Sequence, residues 1–165
     1  MARDGPDGPD LDADLRLLVG YGIKRANAAL TPHIERILGG FGLRRSTYSA
    51  LSVLAGHPGL RQSDLSEVLA IERPNLVQIL DELRHSGLVV RSRDPADRRA
   101  WRLRVTPAGA EVLAQARRAL MAYDQRLTAG LGKAERKALI AALQRVERLG
   151  AEAWEGRDVG EISTT

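Results

Sequence analysis

The chain has 165 residues, enough for one domain with a sizeable core or for one domain plus an interaction arm. Apolar residues at 44% and charged residues at 28% exclude global disorder and fibrous repeats, and 4% aromatics argue against a single-strand binder that stacks bases on rings. A formal charge of +4 is mildly basic, and the absence of Cys removes disulfides, thiolate nucleophiles, Cys-rich zinc sites and thiol redox sensing.

His33, His57 and His85 are well separated, so a three-ligand metal site would need unusual help from carboxylates. No stretch approaches the roughly 18 uninterrupted apolar residues of a membrane span. Met1 to Asp14 carries five Asp against one Arg, the reverse of a signal peptide. These features predict a soluble, cytoplasmic protein with no membrane partner. The chain lacks a G-x-S-x-G elbow, a G-x-x-x-x-G-K phosphate loop and a His–carboxylate pair at a recognisable spacing, so neither an enzyme nor a cofactor is expected.

In chain order, residues 1–10, with Gly5-Pro6-Asp7-Gly8-Pro9, cannot build a packed face and read as a disordered acidic arm. Residues 11–40 turn helical: Leu11, Leu15, Leu18, Gly22, Ala26 and Leu30 recur every three or four residues, and Ile34, Ile37 and Leu38 continue the stripe. Pro32 is expected to kink or interrupt this helix, and Gly39-Gly40 to stop it. A helix over about Ser46–Ala55 ends at the turn signal Gly56-His57-Pro58-Gly59. Two short helices follow in quick succession, Gln62–Ala70 and Arg73–Ser86, the second with Pro74 in its first turn and Gly87 at its stop. Joined by about three residues, they predict a helix-turn-helix whose second helix enters the major groove.

The period then changes. Leu88–Arg93 and Trp101–Val105 alternate apolar with basic residues, as half-buried strands do, around the Arg-loaded turn Asp94–Arg99. A basic hairpin after a recognition helix is a wing. The fold class is therefore mainly α with a small β-hairpin wing, a winged helix-turn-helix over 45–106. Thr106-Pro107 opens a helix running to about Ala129, Gly130-Leu131-Gly132 breaks it, and a last helix carries Leu139, Leu143, Val146, Leu149 and Ala153 on one stripe. Residues 155–165 read as a frayed tail.

Charge is uneven along the chain. Without the acidic leader, residues 15–165 hold 24 basic and 16 acidic residues, a formal +8. Residues 84–104 hold seven Arg against Asp94 and Asp97, a local +5, which fits a nucleic-acid footprint or a solvated charged hairpin. The 22 Arg against 3 Lys suit bidentate phosphate and guanine bonding, or reflect codon bias. The apolar stripes of 11–40 and 107–154 exceed what a small winged domain can cover. They are expected to be dimerisation helices, with the homodimer presenting two recognition helices to a palindromic duplex.

The order Gly42-Leu43-Arg44-Arg45-Ser46-Thr47-Tyr48, Leu65 to Leu69, Ile71-Glu72-Arg73-Pro74-Asn75-Leu76-Val77, Leu83 to Val89, Asp94-Pro95-Ala96-Asp97-Arg98-Arg99 and Val105-Thr106-Pro107-Ala108-Gly109 resembles the MarR family of multiple-antibiotic-resistance-type regulators. The resemblance runs from about Leu15 to Leu149. Its most specific part is the wing, where Asp97-x-Arg99 is followed by a strand and Thr106-x-x-Gly109.

The resemblance implies a sequence-specific DNA-binding transcriptional regulator, commonly a repressor released by ligand. Recognition contacts would fall on Arg73, Pro74, Asn75, Val77 and Gln78; Asn75 and Gln78 suit adenine, Arg73 guanine or phosphate, and Val77 a thymine methyl. Gln62 and Ser63 would bond phosphates and fix register. Arg99 would enter the minor groove, braced by Asp97, with Arg91, Arg93 and Arg98 clamping the backbone. Pro74 stands where many relatives carry Ser or Thr, and Glu72 is a poor N-cap, so the operator is not copied from relatives.

The missing Cys excludes the family's cysteine-based peroxide branch, and scarce His argues against its zinc-sensing branch. A phenolic or aromatic-acid effector, or its coenzyme A thioester, is what remains, since Ile71–Asn75 looks like regulators of aromatic catabolism. Candidate lining residues are Tyr21, Lys24, Arg25, His33, Arg44 and Tyr48, where rings stack and cations hold an anion. The alternative is a winged-helix module that binds DNA non-specifically, or a protein partner, without ligand control.

Overall fold

The computed structural model describes residues 11–93 and 101–155, with backbone alone at Arg93, Trp101 and 153–155. The acidic arm, the turn 94–100 and the tail beyond Glu155 lie outside the described residues. The elements are α1 (Ala13–Arg16), α2 (Val19–Gly39), α3 (Arg45–Gly56), α4 (Gln62–Leu69), α5 (Arg73–His85), β1 (Val89–Arg93), β2 (Trp101–Val105), α6 (Pro107–Leu127) and α7 (Lys133–Glu155). The chain divides into two units, Met1–Leu120 and Met121–Thr165.

In the first unit one core collects the inner faces of five helices and the hairpin. Leu38 of α2, Ala50, Leu51 and Leu54 of α3, and Leu65 of α4 meet Leu76, Ile79, Leu80 and Leu83 of α5. Val89, Leu103, Leu113 and Ala116 close it from the strands and α6. These are the positions at helical or alternating spacing that should bury together, because apolar area removed from water is the main favourable term in folding.

Local chemistry sets the boundaries. The buried Thr47 hydroxyl accepts from the Arg44 N–H at 2.9 Å, tying the chain before α3 to its first turn. The α4–α5 turn is closed by Ala70 in the left-handed region at φ 50° and by the Ser66 hydroxyl donating to the Ile71 carbonyl at 2.6 Å. Helix α5 starts at Glu72 without a side-chain cap and carries Pro74 in its first turn. It ends in a Schellman arrangement: Leu88 N–H bonds the Leu83 carbonyl at 2.9 Å and Gly87 N–H bonds the Arg84 carbonyl at 3.0 Å, with Gly87 at φ 69°.

The hairpin pairs Val89 with Val105 through Arg93 with Trp101, antiparallel. Its outer edge is not bare. Gly59 N–H bonds the Leu103 carbonyl, Leu103 N–H bonds the Leu60 carbonyl, and Arg61 bridges Arg102, so the segment before α4 lies along β2. At the base of the wing Thr106 donates to the Gly87 carbonyl at 2.8 Å and accepts from the Gly109 N–H at 3.0 Å. A Cβ at Gly109 would stand 2.1 Å from the Leu88 carbonyl oxygen. The Thr106-x-x-Gly109 spacing thus fastens the first turn of α6 onto the end of the recognition helix.

The N-terminal helix departs from expectation. Helix α2 runs through Pro32 uninterrupted, and the break falls earlier, at Leu17 and the extended Leu18. Pro32 deprives the Ala28 carbonyl of its helical partner; both residues are exposed, so water can satisfy that oxygen. The one-turn α1 is tied by Asp12, which accepts from Arg16 Nε at 2.9 Å and from the Tyr21 hydroxyl at 2.6 Å.

In the second unit, Glu135 accepts from the Gly132 N–H at 2.7 Å to start α7, and Arg136 pairs with Asp124. The stripe of Leu139, Ile140, Leu143, Val146 and Leu149 is 38–51% exposed, and none of the residues of α7 described for burial is buried.

Candidate nucleic-acid interface

The core fixes which side of α5 faces out. With Leu76, Ile79, Leu80 and Leu83 inward, Arg73, Pro74, Asn75, Val77 and Gln78 are all exposed. Val77 is 45% exposed, an apolar residue left uncovered among polar neighbours, as a thymine-methyl contact requires. At the start of α4 Gln62 is half-buried and Ser63 is exposed, its hydroxyl donating to Asp64 at 3.0 Å. That exposed bond has to yield before Ser63 donates to a phosphate. Arg91 is exposed on β1 and lines a cleft with Arg84, so two Arg of the basic 84–104 segment meet on the wing side, with His85 beside them. The side chain of Arg93, and Asp97, Arg98 and Arg99, lie outside the described residues.

The six effector candidates lie on α2, just before α3, and in α3. Tyr21 and Lys24 are neighbours, with Lys24 Nζ 6.0 Å from the Tyr21 ring centre. The hydrogen bond that Tyr21 donates to Asp12 raises its phenol above the ordinary value of 10.0, reinforced by desolvation and the Asp12 charge. Arg25 and His33 are exposed and Tyr48 is half-buried against the core. Arg44 is engaged: Nε and Nη2 bond the two Glu82 oxygens at 2.8 and 2.6 Å. Arg45, Ser46 and Ser49 share a cleft with Arg44. Their proximity in sequence to Arg44 was the available signal for that cleft; the participation of Leu69 and Ile71 was not, because it depends on the turn between α4 and α5.

A tight two-helix turn, an outward polar face on the second helix and a hairpin fastened to its end define a winged helix-turn-helix DNA-binding protein. The sequence profile of the MarR family matches residues 41–100. Over 135 residues the chain is 36% identical to a putative transcriptional regulatory protein for the hcr operon of Thauera aromatica, covering 81% of each chain. It is similar to the transcriptional repressor CouR bound to a 23-mer DNA duplex, with TM-score 0.78 and 34% identity over 82% of this chain and 96% of that one. CouR bound to p-coumaroyl-CoA gives TM-score 0.74 and 33% identity over the same shares. The chain belongs to the MarR family and is a DNA-binding transcriptional regulator. Among its described residues, no helix is long and apolar enough to cross a membrane.

Proposed function

We propose that the chain is a homodimeric cytoplasmic repressor without catalytic activity, which binds a two-fold-symmetric operator and is released by an anionic aromatic effector, foremost an aromatic acyl-CoA thioester. The observation that carries DNA recognition is the outward face of α5, where Arg73, Asn75, Val77 and Gln78 are exposed beside a basic wing. Gln62 and Ser63 would set register on phosphates, and Arg91, Arg93, Arg98 and Arg99 would hold the wing to the backbone and minor groove, with Asp97 bracing Arg99. CouR, about one-third identical and bound in one structure to duplex DNA and in another to p-coumaroyl-CoA, supports both the operator and the thioester.

The dimer is supported by the exposed stripe of α7 together with the exposed Leu11, Leu15, Leu17, Leu18, Val19 and Ile23 at the other end of the chain. Burying them between two copies would remove apolar surface from water at roughly 25 cal/mol per Å2. A dimer also spaces two recognition helices by about one helical turn of DNA. An effector that prefers a different spacing then lowers DNA affinity by population shift.

The test is a gel shift on the fragment upstream of the encoding gene with p-coumaroyl-CoA, p-coumarate and benzoate added in turn. Ligand-controlled repression predicts a retarded complex that random duplex does not compete away and that at least one of them weakens. Equal binding to any duplex would support non-specific DNA binding, and a folded dimer that ignores DNA would support a protein-binding role.

A further inference from the structure

We propose that the Arg44–Glu82 ion pair is an exchangeable latch on the recognition helix, opened when a dianionic phosphate group of the effector takes the place of Glu82 on the Arg44 guanidinium. The inference rests on the effector reading above and assigns that effector's anionic end to the cleft that Arg44 and Arg45 line.

Arg44 stands directly before α3 and Glu82 lies in the third turn of α5, 38 residues on, joined by two parallel N–H···O bonds. Glu82 follows Asn75 by seven residues, about 20° short of two full helical turns, so the two share one flank of the recognition helix. Whatever releases Glu82 therefore acts on the side that carries a base-reading residue.

Two features make the pair exchangeable. Its side chains are 54% and 49% exposed, so solvent and solutes reach it and its strength is that of a surface ion pair. Arg44 also lines two clefts: one holds Thr47, Glu82 and Ser86, and the other holds Glu35, Arg45, Ser46, Ser49, Leu69 and Ile71. An anion in the second cleft meets the same guanidinium that Glu82 holds from the first.

The chemistry of the second cleft selects the ligand. Arg45 adds a second guanidinium and spends one N–H group on the Thr31 hydroxyl at 2.9 Å. Ser46 and Ser49 add hydroxyl donors, and Leu69 and Ile71 add apolar surface on either side of Ala70 in the helix-turn-helix turn. Glu35 offsets one of the two positive charges. A single carboxylate gains little there, whereas a dianionic phosphate or pyrophosphate outweighs Glu35 and outcompetes the monoanionic Glu82. Exchange leaves the Glu82 carboxylate unpaired on the DNA-reading flank and cuts the tie between α3 and α5; both effects disfavour the operator complex.

The test measures binding of inorganic pyrophosphate, coenzyme A and p-coumarate to the full chain and to Glu82→Gln by calorimetry, together with operator affinity with and without p-coumaroyl-CoA. A thermal melt checks that the variant is folded. Removing the competing carboxylate should tighten pyrophosphate and coenzyme A binding about two- to five-fold, the range of a surface ion pair. It should leave p-coumarate binding unchanged and shrink the operator response to the thioester by the same factor. Tightening by coenzyme A alone places the source in a nucleotide-bearing thioester; tightening by both probes places it in any phosphate of that charge. Equal affinities in the two proteins, or no binding of either phosphate probe, overturn the latch. If p-coumaroyl-CoA leaves the operator affinity of the unsubstituted protein unchanged, the effector reading fails, and pyrophosphate still decides the latch.

Discussion

Asn75 and Gln78 each offer an amide able to bond adenine at two points, and both are held outward by the buried Leu76 and Ile79 between and beside them. Replacing Asn75 with Ala should cost about 1–3 kcal/mol of operator affinity and relax preference at one base pair, read by gel shifts on single-substituted operators. Arg91 on the wing strand is proposed to clamp the backbone, so Arg91→Ala should weaken all duplexes alike and reduce the salt slope by about one. A base-specific loss at Arg91 would contradict that division of labour. The glycine at 109 has a different duty. With the Leu88 carbonyl 2.1 Å from the place of a Cβ, Gly109→Ala must push α6 off the recognition helix. A loss of about 1–3 kcal/mol in urea unfolding is expected. The Thr106-x-x-Gly109 spacing marks this glycine in the sequence but not its duty; it takes the folded base of the wing to show what the residue admits.

Among the elements, the winged helix-turn-helix was legible because each piece has a local signal: helical spacing, Pro74 in a first turn, Gly87 at a stop, and alternation from Leu88 onward. Local signals failed where solvent or a distant residue decides. Pro32 was expected to kink or interrupt α2; the helix is not interrupted there, since water can take over the orphaned acceptor, and the break sits at Leu18 beside a turn tied by Asp12. The third segment of the wing sheet, Gly59 to Arg61, was missed for a related reason: two or three residues of edge pairing carry no period. The N-cap of α6 was read correctly, and Thr106 also grips the Gly87 carbonyl, so Thr106→Ala removes two bonds. We expect a loss of about 0.5–2 kcal/mol in stability. Thr106→Ser should restore most of it, since the hydroxyl and not the methyl makes both bonds. The candidate site was half legible: the α5 face follows from helical geometry, whereas Arg44 was picked for its charge alone and its engagement with Glu82 arises from packing across 38 residues.

For the whole molecule, the exposed apolar residues at both ends of the chain are the evident route to assembly. A charge placed in the α7 stripe by Leu143→Glu meets solvent in a monomer, where Leu143 is 47% exposed, but is buried in a dimer that uses this face. Sedimentation should show the substituted protein shifting from dimer to monomer at micromolar concentration, with operator affinity falling alongside. An unchanged dimer would move the interface elsewhere. Two-fold pairing matters because one winged domain makes too few base contacts to find a site in a genome, and two on one face of DNA multiply their discrimination. The acidic leader and the basic body fit the same picture, with the net +4 concealing a formal +8 over residues 15–165.

The most direct test of sequence-specific recognition by α5 compares affinity for the duplex upstream of the encoding gene with affinity for a random duplex of equal length, at one salt concentration. The proposal predicts a ratio of about 1,000-fold or more, falling at least five-fold in Asn75→Ala. Equal affinity for the two duplexes, unchanged by Asn75→Ala, would contradict it.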